Sequence, residues 1–187
     1  MTRAFRLAAR LLLPWLLASQ SAFAYKPEVG EAPAALDGKL ELVSGAPLDL
    51  SAFRGRPTVL YFGADWCLPC IERGRPAAVA AAKKYGPSGL QVVFVSMDDN
   101  RFRARKVDES HDLGIPIAMA RLDLCPPGQC LGGLKDLGDF GRIYVVPTAI
   151  VLDHNGVVRA KMDRGTGVAG GLDSAARDVM RAAGLLR

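Results

Sequence analysis

The sequence predicts an α/β domain built on a mixed sheet, and three observations lead there. Two β-prone, almost wholly apolar runs, Thr58-Val59-Leu60-Tyr61-Phe62 and Leu90 to Met97, are separated by a stretch of helical pattern. A later pair of β-prone runs, Thr148–Leu152 and Val157–Met162, is joined by Asp153-His154-Asn155-Gly156, and Asn-Gly is a strong hairpin signal. The chain then closes on a segment whose apolar residues Leu172, Ala176, Val179, Ala183 and Leu186 step by three or four, a stripe that packs on a sheet. Strand, helix and strand followed by a hairpin and a helix imply a parallel pair crossed over by helices and finished by an antiparallel hairpin.

The other elements fall into place around these. Lys39–Val43 and Pro47–Leu50 flank Ser44-Gly45-Ala46 and read as an N-terminal β-hairpin. A helix is expected from about Cys67 to Tyr85, ended by Gly86-Pro87. Asp98-Asp99-Asn100 offers capping side chains to a polar helix that Gly114 closes. Ile117–Leu122 reads as a strand, and a Gly/Pro/Cys-rich stretch from Asp123 to Gly141 interrupts the pattern before Thr148. At 187 residues, half of them hydrophobic, the chain suits one domain with a buried core better than two.

The first residues belong to something else. Arg3, Arg6 and Arg10 are followed by the apolar run Leu11 to Ala18, then by polar Ser19-Gln20-Ser21 and the small-large-small Ala22-Phe23-Ala24. Those are the parts of a secretory signal peptide, residues 1–24, cut after Ala24 to leave a domain of residues 25–187. The apolar run is less than half the roughly 20 residues a membrane-spanning helix needs, so no span is expected after cleavage. Three of the five net positive charges leave with the leader, so +2 remains. Nothing in that balance points to nucleic acid or an acidic membrane as a partner.

All four cysteines lie in the retained part, as two close pairs, and in an exported protein that favours disulfides or thiol chemistry. Trp66-Cys67-Leu68-Pro69-Cys70 sits where a buried strand gives way to a helix. Cys67 would stand at the first helical turn, where unpaired backbone N–H groups and the helix dipole favour a thiolate. Cys70, one turn on, is expected deeper and on the same face. Cys67 then attacks, or is attacked by, a partner's sulfur, and Cys70 resolves the mixed disulfide. Pro69 stiffens the ring and Trp66 shields it.

The strand, the Gly63-Ala64-Asp65-Trp66-Cys67-Leu68-Pro69-Cys70 segment and the later Val145-Val146-Pro147-Thr148 resemble the thioredoxin superfamily. The exported start, Leu48-Asp49-Leu50-Ser51-Ala52-Phe53-Arg54-Gly55-Arg56-Pro57 and the extra hairpin are similar to its TlpA/ResA branch. The resemblance implies a thioredoxin fold with an N-terminal β-hairpin extension and a Cys-containing insertion before the cis-proline strand. It implies a cis Pro147 beside the cysteines, with Trp66, Pro69, Val146 and Pro147 receiving the substrate. It also implies a periplasmic protein-disulfide oxidoreductase that reduces client disulfides, as in cytochrome c assembly, with electrons from a membrane-embedded donor and no cofactor. Three departures stand out. Arg73 and Arg75 occupy the positions of the branch's acid and proline, with Glu72 and Pro76 displaced by one. Tyr61 stands where thioredoxins bury a proton-accepting Asp. Asp65 and Glu72 are the nearby acids, and each reads more simply as a solvated residue near a helix end.

The same residues admit other chemistry. Cys125-Pro126-Pro127-Gly128-Gln129-Cys130 fits a local disulfide that staples a loop, with a second redox pair and crossed pairing as alternatives. Four cysteines closing a zinc site find no further support, and no metal is expected. Cys67 and Cys70 as soft Cu(I) ligands in a copper-delivery module form the rival from another class, with His154 a loose third ligand. A disulfide-forming oxidant is the remaining alternative. His111 and His154 are expected to face solvent.

Overall fold

The computed structural model describes residues 27–32, 40–48, 50–98, 103, 104, 106, 113–120, 143 and 145–187. In chain order its strands and main helices are β1 (Leu40–Leu42), β2 (Pro47–Leu48), β3 (Thr58–Gly63), α1 (Arg75–Tyr85), β4 (Gln91–Ser96), β5 (Ile117–Ala120), β6 (Thr148–Leu152), β7 (Val158–Asp163) and α2 (Arg164–Ala182). The two apolar runs of the sequence are neighbouring parallel strands, β3 and β4, with Tyr61 opposite Phe94. Every residue of β3 is buried, as continuous apolarity requires of a strand covered on both faces.

Seven strands form one sheet in the order β2-β1-β5-β4-β3-β6-β7. β5 runs parallel to β4, whereas β6 and β7 are antiparallel additions beyond β3. The expected hairpin at the start is present and lies antiparallel against β5. Gly156, with φ +78°, makes the turn between β6 and β7 that Asn-Gly promised. Residues 103, 104 and 106 are helical, in line with the expected polar helix, and the rest of that segment lies outside the described residues. So do residues 1–24, expected to be a leader, and the stretch that carries Cys125 and Cys130.

The pleat sorts the core into two layers. Val59, Tyr61, Val92 and Phe94 face the helices, where Ala78, Ala81 and Tyr85 of α1 meet Val168, Leu172, Ala176, Val179 and Met180 of α2. Leu60, Phe62, Val93 and Val95 face the other way, toward Leu40, Leu48, Ile143, Ile150 and both cysteines of the motif. Each fully buried Leu, Phe or Ile contributes roughly 1.5–3 kcal/mol relative to exposure, which fixes the sheet rigidly beneath the Cys67 loop. α2 begins directly after β7 through Arg164, a non-glycine residue at φ +61°. α1 and α2 are tied at their surface, where Lys84 Nζ meets Asp173 Oδ1 at 2.8 Å and the Tyr85 hydroxyl donates to the same oxygen at 3.0 Å.

Candidate active site

The C-terminal ends of β3 and β4 carry the cysteine loop. β3 stops at Gly63, the chain turns through Ala64-Asp65-Trp66, and the helical backbone begins at Leu68. Cys67 and Cys70 are joined in a disulfide with their Cα atoms 5.2 Å apart. Cys67 is 5% exposed and Cys70 fully enclosed, the order of accessibility expected of an attacking and a resolving sulfur. The backbone N–H of Cys70 points at Cys67 Sγ at 3.2 Å. That donor stabilises negative charge on Cys67 once the bond is opened, and the helix start adds its partial positive charge.

The first turn is not a regular α-helix. Cys70–Gly74 forms a wider turn in which Arg75 N–H bonds the Cys70 carbonyl five residues back. The hydroxyl of Tyr61 donates to the same carbonyl at 3.3 Å. Gly74 ends this turn against Pro147, and a Cβ there would lie 2.8 Å from Pro147 Cβ and 2.7 Å from the Tyr61 hydroxyl. No side chain fits between them.

Pro147 follows a cis peptide bond from Val146, as the family resemblance implied. Thr148 Oγ1 donates to the Val145 carbonyl at 2.6 Å and braces the loop ahead of β6. Trp66 and Leu68 are the large apolar residues left open around the pair, 59% and 61% exposed. The start of α2 closes the opposite flank: a Cβ on Gly165 would meet Pro69 Cβ at 3.2 Å and Arg73 Cδ at 3.3 Å. Of the residues the resemblance implied for substrate, Trp66 and Pro69 are exposed, Val146 is half-buried against the layer that holds both cysteines, and Pro147 is buried against Gly74.

The acids separate in the structure. Glu72 is exposed. Asp65 is half-buried, and its N–H donates to both carboxylate oxygens of Asp98 at 3.1 and 3.3 Å. Asp98, one of the expected capping side chains, serves the cysteine loop, and residues 99–102, which it would cap, lie outside the described residues. Burial raises its pKa to about 6, the neighbouring Asp65 carboxyl adds to the rise, and donors from Ser96 and Asp65 N–H hold it back. Arg75, at the branch's proline position, is buried with its guanidinium 5.6 Å over the Phe94 ring and Nη2 3.5 Å from the Ala64 carbonyl. Burial lowers the Arg75 pKa, opposed by Tyr61, Asp98 and Asp65. Burial also pushes the Tyr61 phenol far above its ordinary value, so it stays protonated.

Sequence reasoning missed the roles of Arg75 and Asp98. Arg75 lies on the buried stripe Arg75-Ala78-Ala81-Tyr85, and a charge on an apolar helix face was the available signal. His154 sits in the β6–β7 turn, roughly 17 Å along β6 from Pro147, and cannot join the cysteines as a ligand. His111 lies outside the described residues. Among the described residues, no group of three or more His, Cys, Asp or Glu side chains could hold a metal ion. No helix among them is long and apolar enough to cross a membrane.

Comparison with known proteins follows the same lines. The pattern of the AhpC/TSA family matches residues 31–161. A thioredoxin-like protein YneN of Bacillus subtilis is 28% identical over 138 residues, 72% of this chain and 73% of that protein. A thiol-disulfide oxidoreductase ResA of Geobacillus thermodenitrificans is 28% identical over 137 residues, 73% and 71% of the two chains. Among solved structures, a thiol:disulfide interchange protein of Chlorobium tepidum superposes with a TM-score of 0.60 at 21% identity, covering 83% of this chain and 99% of that one. A thiol:disulfide interchange protein from Bacteroides sp. gives 0.63 at 20% identity, with 84% and 91% covered. At these identities the superpositions show a shared thioredoxin fold.

Proposed function

The chain belongs to the AhpC/TSA family, and on that premise we propose that this thiol–disulfide oxidoreductase of thioredoxin fold works outside the cytoplasm, reducing disulfides of client proteins through Cys67 and Cys70. The observation that carries the reading is the asymmetric disulfide itself. Cys67 is the more accessible sulfur and has a backbone N–H aimed at it, while Cys70 is sealed beneath. In the reduced protein the Cys67 thiolate attacks a client disulfide, and Cys70 then displaces the client thiolate and regenerates the Cys67–Cys70 bond. Exposed Trp66, Leu68 and Pro69, with half-buried Val146 ahead of the buried Pro147, form the surface on which a client's cysteine segment lies.

A relative named thiol-disulfide oxidoreductase ResA and the thiol:disulfide interchange protein DsbE of Vibrio cholerae, 29% identical over 115 residues, support the exchange chemistry, and the resemblance to the TlpA/ResA branch supports a role of cytochrome c assembly type. The leader of residues 1–24 supports a periplasmic location after cleavage at Ala24, and a membrane-embedded donor would return electrons to Cys67–Cys70. Cys125 and Cys130 staple the insertion in this reading. A redox titration of the protein against glutathione tests the direction of flow. A midpoint near or below about −270 mV fits a reductase, whereas one near about −120 mV makes the protein an oxidant and overturns the proposal.

A further inference from the structure

Closing or opening a disulfide moves protons as well as electrons, and one buried acid beside the cysteine loop has no part in the chemistry above. Asp98 follows β4 and is 1% exposed. Its carboxylate accepts the Asp65 N–H, and the Ser96 hydroxyl at 2.7 Å. Asp65 stands two residues before Cys67, and the charge of its carboxyl adds to the proton affinity of Asp98. Asp65 Oδ1 is nevertheless buried with no hydrogen-bond partner. Two carboxyls held together, one with an oxygen left over, make a place for a single proton.

Charges on the packed elements complete the environment. Arg75 faces the cluster from α1, with Nη2 toward the Ala64 carbonyl and Nε unpartnered. The Tyr61 phenol acts on Arg75 from β3, Asp65 reaches Asp98 from the loop, and Ser96 comes from the same strand end as Asp98. The cluster is thus attached to the cysteine loop at Ala64 and Asp65 and to the first turn through Tyr61 and the Cys70 carbonyl.

We propose that Asp98 is the proton store of the Cys67–Cys70 couple: a positioning residue that takes up a proton when the disulfide is reduced and so leaves Cys67 as the thiolate. The proposal rests on the redox role assigned above. Reduction breaks the Cys67–Cys70 bond with two electrons from a protein dithiol, which becomes a disulfide and releases two protons. One proton ends on Cys70. The other ends on the Asp98 carboxylate, and Cys67 keeps its negative charge. The net charge of the site is then the same in both states, carried by Asp98 when the disulfide is closed and by Cys67 when it is open. On oxidation the proton leaves Asp98 as the thiolate is consumed. The raised proton affinity of Asp98 places this exchange close to neutral pH.

The test is proton stoichiometry. The midpoint potential of the full protein is titrated between about pH 6 and 8, above the ordinary carboxyl range and below that of a free thiol, for the wild type and Asp98→Asn. The wild type should take up close to two protons per two electrons and the variant close to one. The slope should therefore fall by a factor of ten in equilibrium constant per pH unit, about 30 mV. The amide retains an oxygen acceptor for the Asp65 N–H. In parallel, the reduced-minus-oxidised infrared spectrum of the wild type at neutral pH should gain a carboxylic-acid carbonyl band that Asp98→Asn lacks. Equal slopes, or no such band in the wild type, would overturn the proposal, and the second readout needs no variant to fold. Failure of excess dithiothreitol to open the pair would instead sink the oxidoreductase reading itself.

Discussion

The phenol of Tyr61 donates a hydrogen bond to the carbonyl of Cys70 from directly beneath the active turn. That carbonyl also receives Arg75 N–H, so a strand residue and a helix residue converge on the peptide of Cys70. Tyr61→Phe removes the first of these and keeps the ring packed 5.3 Å from Phe94. It should cost about 0.5–1.5 kcal/mol in urea unfolding while leaving the fold intact. Because the phenol stays protonated, the loss should be the same at pH 6 and pH 9, and a pH-dependent loss would contradict the assignment.

Cys70→Ala should accumulate mixed disulfides between Cys67 and client proteins, visible on non-reducing gels. Cys67→Ala should accumulate almost none, because the remaining sulfur is enclosed. Equal trapping by the two variants would reverse the division between attack and resolution.

Two glycines should respond in opposite directions. Gly74→Ala drives a Cβ into the Pro147 ring and the anchored Tyr61 hydroxyl, neither of which can swing away. Overpacking of this kind costs about 1–3 kcal/mol, and the displaced Pro147 should slow disulfide exchange as well. Gly170→Ala, inside α2 with open space around it, should stabilise by about 0.5–1 kcal/mol with activity unchanged. Thermal melts and a turnover assay on the two variants check both.

Asp153 sets an acid limit on stability. Burial alone would raise its pKa, but the Val157 N–H, Arg159 and the Asn155 N–H all bond its carboxylate and the net effect is a lowered value. A carboxyl held below its unfolded-state value stabilises the fold above about pH 4 and loses that contribution as pH falls through the folded value. Asp153→Asn should therefore be less stable than wild type at pH 7 and show a flatter decline below pH 4. Denaturant unfolding across the acid range measures it.

Much of this was legible because the responsible signals are local. The apolar runs of β3 and β4, Asn155-Gly156, and the Trp66-Cys67-Leu68-Pro69-Cys70 pattern each dictate their own stretch of backbone. The part of Asp98 in the site was hidden for the same reason. Followed by Asp99 and Asn100, it has the local chemistry of a helix cap, and only the parallel pairing of β4 with β3 brings it to Asp65. Arg75 reads as an ordinary helix residue until the layer of Tyr61 and Phe94 is laid against it. The beginning of α2 was hidden by Gly165, Gly167, Gly170 and Gly171, poor helix formers by propensity. Gly165 is there because Pro69 and Arg73 crowd it, a requirement set almost a hundred residues away.

The chain's described N-terminal stretch grips the opposite end of the sequence: Gly30 N–H bonds the Val158 carbonyl, and Val158 N–H bonds the Glu31 carbonyl. Val158 opens β7, the outermost strand on that side, while the hairpin of β1 and β2 borders the other side. Gly30 and Glu31 therefore cover the start of one marginal strand, and the other margin is kept to the two residues of β2, which together blunt the strand edges through which sheets join one another. Such a closure also carries a timing rule. If the chain is threaded N-terminus first through a channel, residues 28–31 arrive first and must wait, unsecured, until the last hairpin has followed them through. Assembly is then an end-to-end event, and a chain stalled before β7 has no means of sealing that border.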